Sequence, residues 1–96
     1  MEIRKTIGDG KATFAIDGWL DTQTAPELGA ALDELEEGVT ELEFDFAGLE
    51  YVSSAGLRQI VAAHKKMAGK LTICNVSPEV GEVLKMTGVA KRLNIV

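Results

Sequence analysis

Ninety-six residues, 46% of them apolar and 26% charged, suffice for one domain with a modest core spanning residues 1–96 and are too few for two. A net charge of −5 without a basic tail disfavours nucleic acid and anionic membranes as partners, and suits steering toward a basic protein surface. Cys74 stands alone, so no internal disulfide or thiolate cluster can form; the single His64 argues against a histidine-rich metal site, and no cofactor is expected.

The β-prone runs Ile3 to Ile7 and Ala12 to Ile16 flank Gly8-Asp9-Gly10, which predicts a hairpin. Ala12, Phe14 and Ile16 alternate with polar or small residues and place one face on a core, and Gly18 is expected to break the strand. A helix follows, with Ala25, Leu28, Leu32 and Leu35 at the three-and-four spacing of one buried stripe. Thr24 and Glu27 have the form of a capping box, with Pro26 in the first turn and Gly38 as the stop. On that reading Asp21 is left in the loop without a structural task, while Glu34, Glu36 and Glu37 are solvated.

Leu42, Phe44 and Phe46 alternate with Glu41, Glu43 and Asp45 in a third strand, and Ala47 to Val52 reads as a crossing segment. Leu57, Ile60, Val61, His64 and Met67 trace a second amphipathic helix, ended by Gly69. Leu71 to Val76 has the near-continuous apolar look of a central strand. Ser77-Pro78 caps and opens a third helix, with the stripe Val80, Val83, Leu84 and Thr87 and a stop at Gly88; Asn94-Ile95-Val96 is a last extended piece. The order β-β-α-β-α-β-α-β predicts an α/β fold: a mixed sheet, formed by an N-terminal hairpin and then alternating helices and strands, with the helices packed on it.

The least generic stretch runs from Asp45 to Leu57, where Ser53-Ser54-Ala55-Gly56 precedes a helix. A helix start carries N–H groups without partners and partial positive charge, so it accepts an anion, including a phosphoryl group, with little rearrangement. A phosphoserine there brings about −1.5 to −2 charges, which the helix tolerates and a partner packed over the same spot does not. The plainer role of such a serine is a helix cap, and the residues by themselves leave both open.

Gly18-Trp19-Leu20-Asp21, the strand ending in Asp45, Tyr51-Val52-Ser53-Ser54-Ala55-Gly56-Leu57 and Leu84-Lys85-Met86-Thr87-Gly88-Val89 come in one order along nearly the whole chain. In this the sequence resembles the STAS domain family, in particular the stand-alone anti-sigma factor antagonists of bacteria. The resemblance implies a partner switch. The unphosphorylated antagonist binds an anti-sigma factor that is also a serine kinase, freeing a sigma factor; phosphorylation with ATP and magnesium ends binding, and a PP2C-type phosphatase restores it. It implies that Ser54 is the phosphoacceptor and that Asp21, Ser53, Ser54, Gly56 and Leu57 serve partner binding. Two features depart from the family's pattern. Ser53 stands where aspartate often precedes the acceptor serine, which makes Ser53 a minor rival site, and family members commonly continue into a further helix past the point matching Val96.

Other residues carry less. Asp45 is expected to bond the following turn, His64 to be a partly buried neutral side chain and Cys74 a small core hydrophobe, while Trp19 reads as either a core anchor or, more sharply, an exposed interface aromatic. Lys65, Lys66, Lys70, Lys91 and Arg92 read as solvated faces. A constitutive scaffold, like STAS subunits of lipid-transport or stress-signalling assemblies, is the alternative function. A nucleotide-binding enzyme or phosphocarrier is disfavoured, because no GxxxxGK[ST] or GxGxxG loop occurs and no histidine lies near the junction. The chain is therefore expected to be a non-enzymatic binding protein. It is expected to be cytoplasmic, since Met1 to Lys5 lacks the apolar run of a signal peptide, and monomeric, since no heptad pattern occurs.

Overall fold

A computed structural model describes residues 1–96. Strands β1 (Glu2–Gly8) and β2 (Lys11–Leu20) form the expected hairpin, with Gly8 opposite Lys11. Asp9 and Gly10 both take positive φ, 51° and 78°, the geometry in which a two-residue turn follows the twist of its strands. The remaining elements are α1 (Ala25–Asp33), β3 (Glu41–Asp45), β4 (Leu49–Val52), α2 (Ser54–Lys66), β5 (Leu71–Cys74), α3 (Pro78–Met86), a 3-10 turn (Val89–Arg92) and β6 (Asn94–Ile95).

The sheet is mixed and runs β1-β2-β3-β5-β6, with β4 attached to β2 alone. Only the β1–β2 pair is antiparallel. The long strand β2 serves two partners in turn: Lys11–Ala15 pair with β3, and Gly18–Leu20 pair with β4. Gly18 therefore does not break the strand. It takes φ 94°, the register shifts between Gly18 and Trp19, and its N–H donates to the Gly48 carbonyl at 2.8 Å. The glycine supplies a bulge that re-aims the strand, and the new partner satisfies the re-aimed backbone. Residues 49–52, read from the sequence as a crossing, are that partner.

Alternation along β2, β3 and β5 puts Ala12, Phe14, Ile16, Leu20, Leu42, Phe44, Leu71 and Ile73 on one face, all fully buried. Phe14 and Phe46 flank Phe44 with ring centroids 6.0 and 5.8 Å away. The helices cover this face: α1 through Ala25, Leu28, Ala31 and Leu32; α2 through Leu57, Ile60 and Ala63; α3 through Val80 and Leu84. The opposite face is polar or small, with Lys11–Glu43 and Arg4–Asp17 ion pairs at 3.6 and 3.0 Å. Cys74 sits on that face and is only half-buried, so it is not the core hydrophobe expected. Burial and the nearby Glu43 and Asp45 carboxylates push its thiol pKa up.

Three boundaries also differ. Helix α1 ends at Asp33, well before Gly38, and Leu35 lies beyond it only partly buried. Strand β5 stops at Cys74 because Asn75 turns to φ 57°. The 3-10 turn after Gly88 has no counterpart in the sequence reading, since four residues are too few to show a period. Glu34 is exposed, as expected of a solvated residue, and also receives a hydrogen bond from Lys5 Nζ at 2.9 Å, which lowers its pKa.

Phe44 is the hub of the aromatic row. Phe44→Ala is expected to lower unfolding free energy by about 3–5 kcal/mol, the range for a large aromatic removed from a packed core, measured by urea denaturation.

Candidate functional site

The site is built by the short parallel pairing of β2 with β4. Trp19 lies opposite Tyr51 and Leu20 opposite Val52, so the residues that follow, Asp21 and Ser53, emerge side by side. Ser53 N–H donates to the Leu20 carbonyl at 2.9 Å and locks the two strand ends together. Both strands finish here and α2 begins, the place where open α/β sheets present their ligand-facing loops.

The two serines divide the roles that the sequence left open. Ser53 is extended (φ −96°, ψ 176°), and its Oγ accepts from Gly56 N–H at 3.3 Å; it is the helix cap. Ser54 is the first helical residue, with an exposed side chain that makes no hydrogen bond within the chain. No acidic residue occupies the first turn of α2, so its positive end is uncompensated. The arrangement leaves one hydroxyl half-buried and held by the cap bond, and the adjacent one free.

Gly56 and Leu57 lie beneath this surface. A Cβ on Gly56 would sit 2.7 Å from both the Leu20 carbonyl oxygen and Leu20 Cγ, and 2.9 Å from Val52 Cγ2. Leu57 is 7% exposed. Both are expected among the partner-contacting residues; Gly56 is buried and seats α2 on the β2–β4 ends, while Leu57 packs into the core and leaves only a small edge at the surface of α2.

Asp21 has the structural task that the capping-box reading denied it. Its Oδ1 accepts from the Gln23 and Thr24 N–H groups at 3.0 and 3.1 Å. The Thr24 hydroxyl donates to the Trp19 carbonyl at 2.7 Å and accepts from Asp21 N–H at 2.8 Å. Thr24 is consequently the cap of α1 by position, but its side chain makes no capping bond. The loop from Trp19 to Thr24 is held by its own hydrogen bonds, and these stabilise the Asp21 carboxylate, with the Thr24 N–H as the leading cause of its lowered pKa. Asp45 behaves as expected of a turn residue. It accepts from Ala47 N–H and Asn75 Nδ2, both at 3.0 Å, and these bonds lower its pKa.

Beside the junction, Trp19 and Tyr51 are 58% and 47% exposed, with ring centroids 5.7 Å apart. Trp19 meets its expectation of an exposed aromatic. Tyr51 as its companion was not anticipated, because the signal lies in the β2–β4 register and that strand was read as a crossing. The cavity closest to the pair, bounded by Glu50, Tyr51 and Val52 against α3, measures only about 90 Å³. The surface is therefore a shallow patch with two large aromatic rings, suited to another protein rather than to a buried small molecule. No helix is long and apolar enough to cross a membrane.

A mixed sheet covered on one face by three helices, with Ser53 capping α2 and Ser54 opening it, defines a small α/β module. The chain belongs to the STAS domain family, which it matches over residues 2–96. It is 31% identical over 84 residues, 83% of this chain and 72% of the relative, to BtrV of Bordetella bronchiseptica, which carries the name of an anti-sigma factor antagonist. Among solved structures it resembles TM1081 of Thermotoga maritima, with a TM-score of 0.86 and 18% identity over 97% of this chain and 84% of that one. It also resembles the anti-sigma factor antagonist SpoIIAA in its unphosphorylated form, with a TM-score of 0.73 and 16% identity over 99% of this chain and 87% of that one. The Bacillus SpoIIAA structure in the phosphorylated form matches with a TM-score of 0.67 and 17% identity, over 99% and 91% of the two chains. The expected family and the expected α/β fold both hold.

The serines separate experimentally. Ser53→Ala is expected to cost about 1 kcal/mol of unfolding free energy through the lost cap, and Ser54→Ala less than about 0.5 kcal/mol. Gly56→Ala is expected to destabilise by about 1–3 kcal/mol despite alanine's better helix propensity, because the Leu20 backbone cannot retreat. Chemical denaturation of the three variants reads all three values. The lowered pKa values of Asp21 and Asp45 contribute stability that is present above the ordinary carboxylate range and lost as pH falls through their folded values. Asp45→Asn is accordingly expected to flatten the acid side of a Tm-against-pH profile.

Proposed function

We propose that this protein is an anti-sigma factor antagonist that works by partner switching, with Ser54 as the phosphorylated residue. Unphosphorylated, it binds an anti-sigma factor that is also a serine kinase, and a sigma factor is freed. The observation that carries the reading is the division of labour at the junction: Ser53 caps α2, while the Ser54 hydroxyl is exposed and unengaged. The kinase transfers the γ-phosphoryl of magnesium-bound ATP to Ser54 Oγ. The O–P bond to ADP breaks, ADP leaves, and the hydroxyl proton passes to a base of the kinase or to water. A PP2C-type phosphatase hydrolyses the phosphoester with water and returns the free hydroxyl and inorganic phosphate.

The physics of the switch favours release without unfolding. A phosphate at the first helical position gains from the helix dipole, worth about 0.3–1 kcal/mol, so the fold tolerates it. A partner packed over Ser54 meets about −1.5 to −2 new charges and loses its contact. Trp19 and Tyr51 supply rigid aromatic area next to the switch, and Asp21 is held in a loop fixed by its own hydrogen bonds. Ser53 in the place of aspartate makes the same kind of cap that an aspartate makes, which supports an intact junction geometry despite this departure. The protein acts through binding rather than catalysis, as a monomer in the cytoplasm.

Binding to the cognate anti-sigma kinase tests the reading. Ser54→Ala is expected to bind within about twofold of wild type and Ser54→Asp at least about tenfold more weakly, by calorimetry. Equal binding of Ser54→Asp and wild type sinks the proposal. Incubation with the kinase, ATP and magnesium should place phosphate on Ser54 by mass spectrometry; phosphate on Ser53, or none, overturns the assignment. Trp19→Ala is expected to weaken binding about tenfold or more with unchanged unfolding free energy, as for an exposed aromatic anchor.

A further inference from the structure

The outer face of α2 carries a feature that the switch site does not use. A groove of about 320 Å³ runs along it, lined by Leu57, Arg58, Val61, Ala62, Lys65 and Val89. Its floor is apolar, and two cations stand on its rim, seven residues apart and so on one side of the helix. Neither Arg58 nor Lys65 joins any of the chain's three ion pairs. Ser54 lies four residues, about one turn, before Arg58 on the same side of the helix, at the spacing where side chains meet. From Leu57 to Lys65 the groove extends about 12 Å, some two turns of a partner helix.

We propose that this groove docks an acidic amphipathic helix of the anti-sigma partner, and that charge on Ser54 is read through Arg58. The inference rests on the antagonist reading above and names the chemistry of the partner. Apolar side chains of the docked helix enter between Val61, Ala62 and Val89, while its carboxylates pair with Arg58 and Lys65. The chain's net charge of −5 opposes an acidic partner at long range, but physiological salt screens exposed charges beyond about 8 Å, and the charged residues lining the groove itself are Arg58 and Lys65. A phosphate on Ser54 lies four residues ahead of Arg58, the favourable order for an anion and a cation on a helix. It takes the guanidinium as its own partner through charge-assisted hydrogen bonds, and the docked carboxylate loses it. The switch thereby acts by competition for one arginine as well as by direct repulsion.

Two synthetic peptides test this, each of about 14 residues with leucines on one helical face, one with glutamates and one with lysines elsewhere. Titrated into isotope-labelled protein, the acidic peptide is expected to shift the amide signals of Val61, Ala62 and Val89 and the basic peptide to leave them unmoved. The double variant R58E/K65E, altered only at exposed side chains, should reverse that preference. S54D should weaken the acidic peptide about fivefold in the wild-type background and less than about twofold in R58Q, since neighbouring sites that share an interaction are non-additive. Equal binding of both peptides, binding of neither, or an S54D effect undiminished in R58Q overturns the proposal. So does saturable binding of anionic phospholipid vesicles at these same residues, which would assign the groove to a membrane. No kinase or anti-sigma factor is present in the assay, so its failure leaves the antagonist reading standing, and failure of the Ser54→Asp test with the partner leaves the groove standing.

Discussion

Helix α2 meets β2 at Gly56, where only a hydrogen atom fits between the helix backbone and the Leu20 carbonyl. That approach sets the height of the helix start above the two strand ends. With it go the cap at Ser53, the exposure of Ser54 and the direction of the α2 groove. A side chain at this position lifts the helix by its N-terminus, and every functional feature of the junction moves with it. The constraint is steric: the Leu20 carbonyl has no rotamer to change, and the Leu20 and Val52 side chains beside it are buried in the core.

The second determinant is the way β2 is shared. Its first half belongs to the core sheet through β3, and its last three residues belong to β4. The bulge at Gly18 separates these tasks. The core half is anchored by Phe14 against Phe44, while the outer half is free to present Trp19 and Tyr51 to solvent. One strand therefore connects the most buried part of the molecule to its most exposed aromatic pair, and the rigidity of the former supports the latter.

How much of this was legible in the sequence depends on the range of the signal. The hairpin, the core alternation of Ala12, Phe14, Ile16, Leu42 and Phe44, and the helical stripes apart from their last members Leu35 and Thr87 are local periodicities, and they appear where the pattern puts them; Thr87 lies past the end of α3 and is exposed. The Ser77-Pro78 helix start is likewise a local code, and Ser77 Oγ accepts from Val80 N–H at 3.2 Å. Ser54 was legible as a special position, but its separation from the cap was not, since either of two adjacent serines satisfies the same pattern. Thr24 keeps the cap position of α1 but not the capping bond, because its hydroxyl is drawn back to the Trp19 carbonyl, a contact that exists only once the loop has folded. Strand β4 and the Trp19–Tyr51 pair depend on a non-local register, for which four residues carry no period of their own. Gly56 and Leu57 stand in the most recognisable segment of the chain, yet their burial follows from packing alone.

The salt link between Lys5 and Glu34 has a meaning for the chain's behaviour in company. Lys5 lies on β1, which has a neighbour on one side only and offers a row of unpaired backbone groups on the other. It shares the sheet face of its partner Phe14, turned toward the helices, and Arg4 projects from the other face toward Asp17. A second sheet aligning along this border would have to accommodate a charge on each face of the strand. Such ionic guarding discourages edge-to-edge stacking. This border, one of the two that the sheet leaves open, is thus kept from self-adhesion at high concentration.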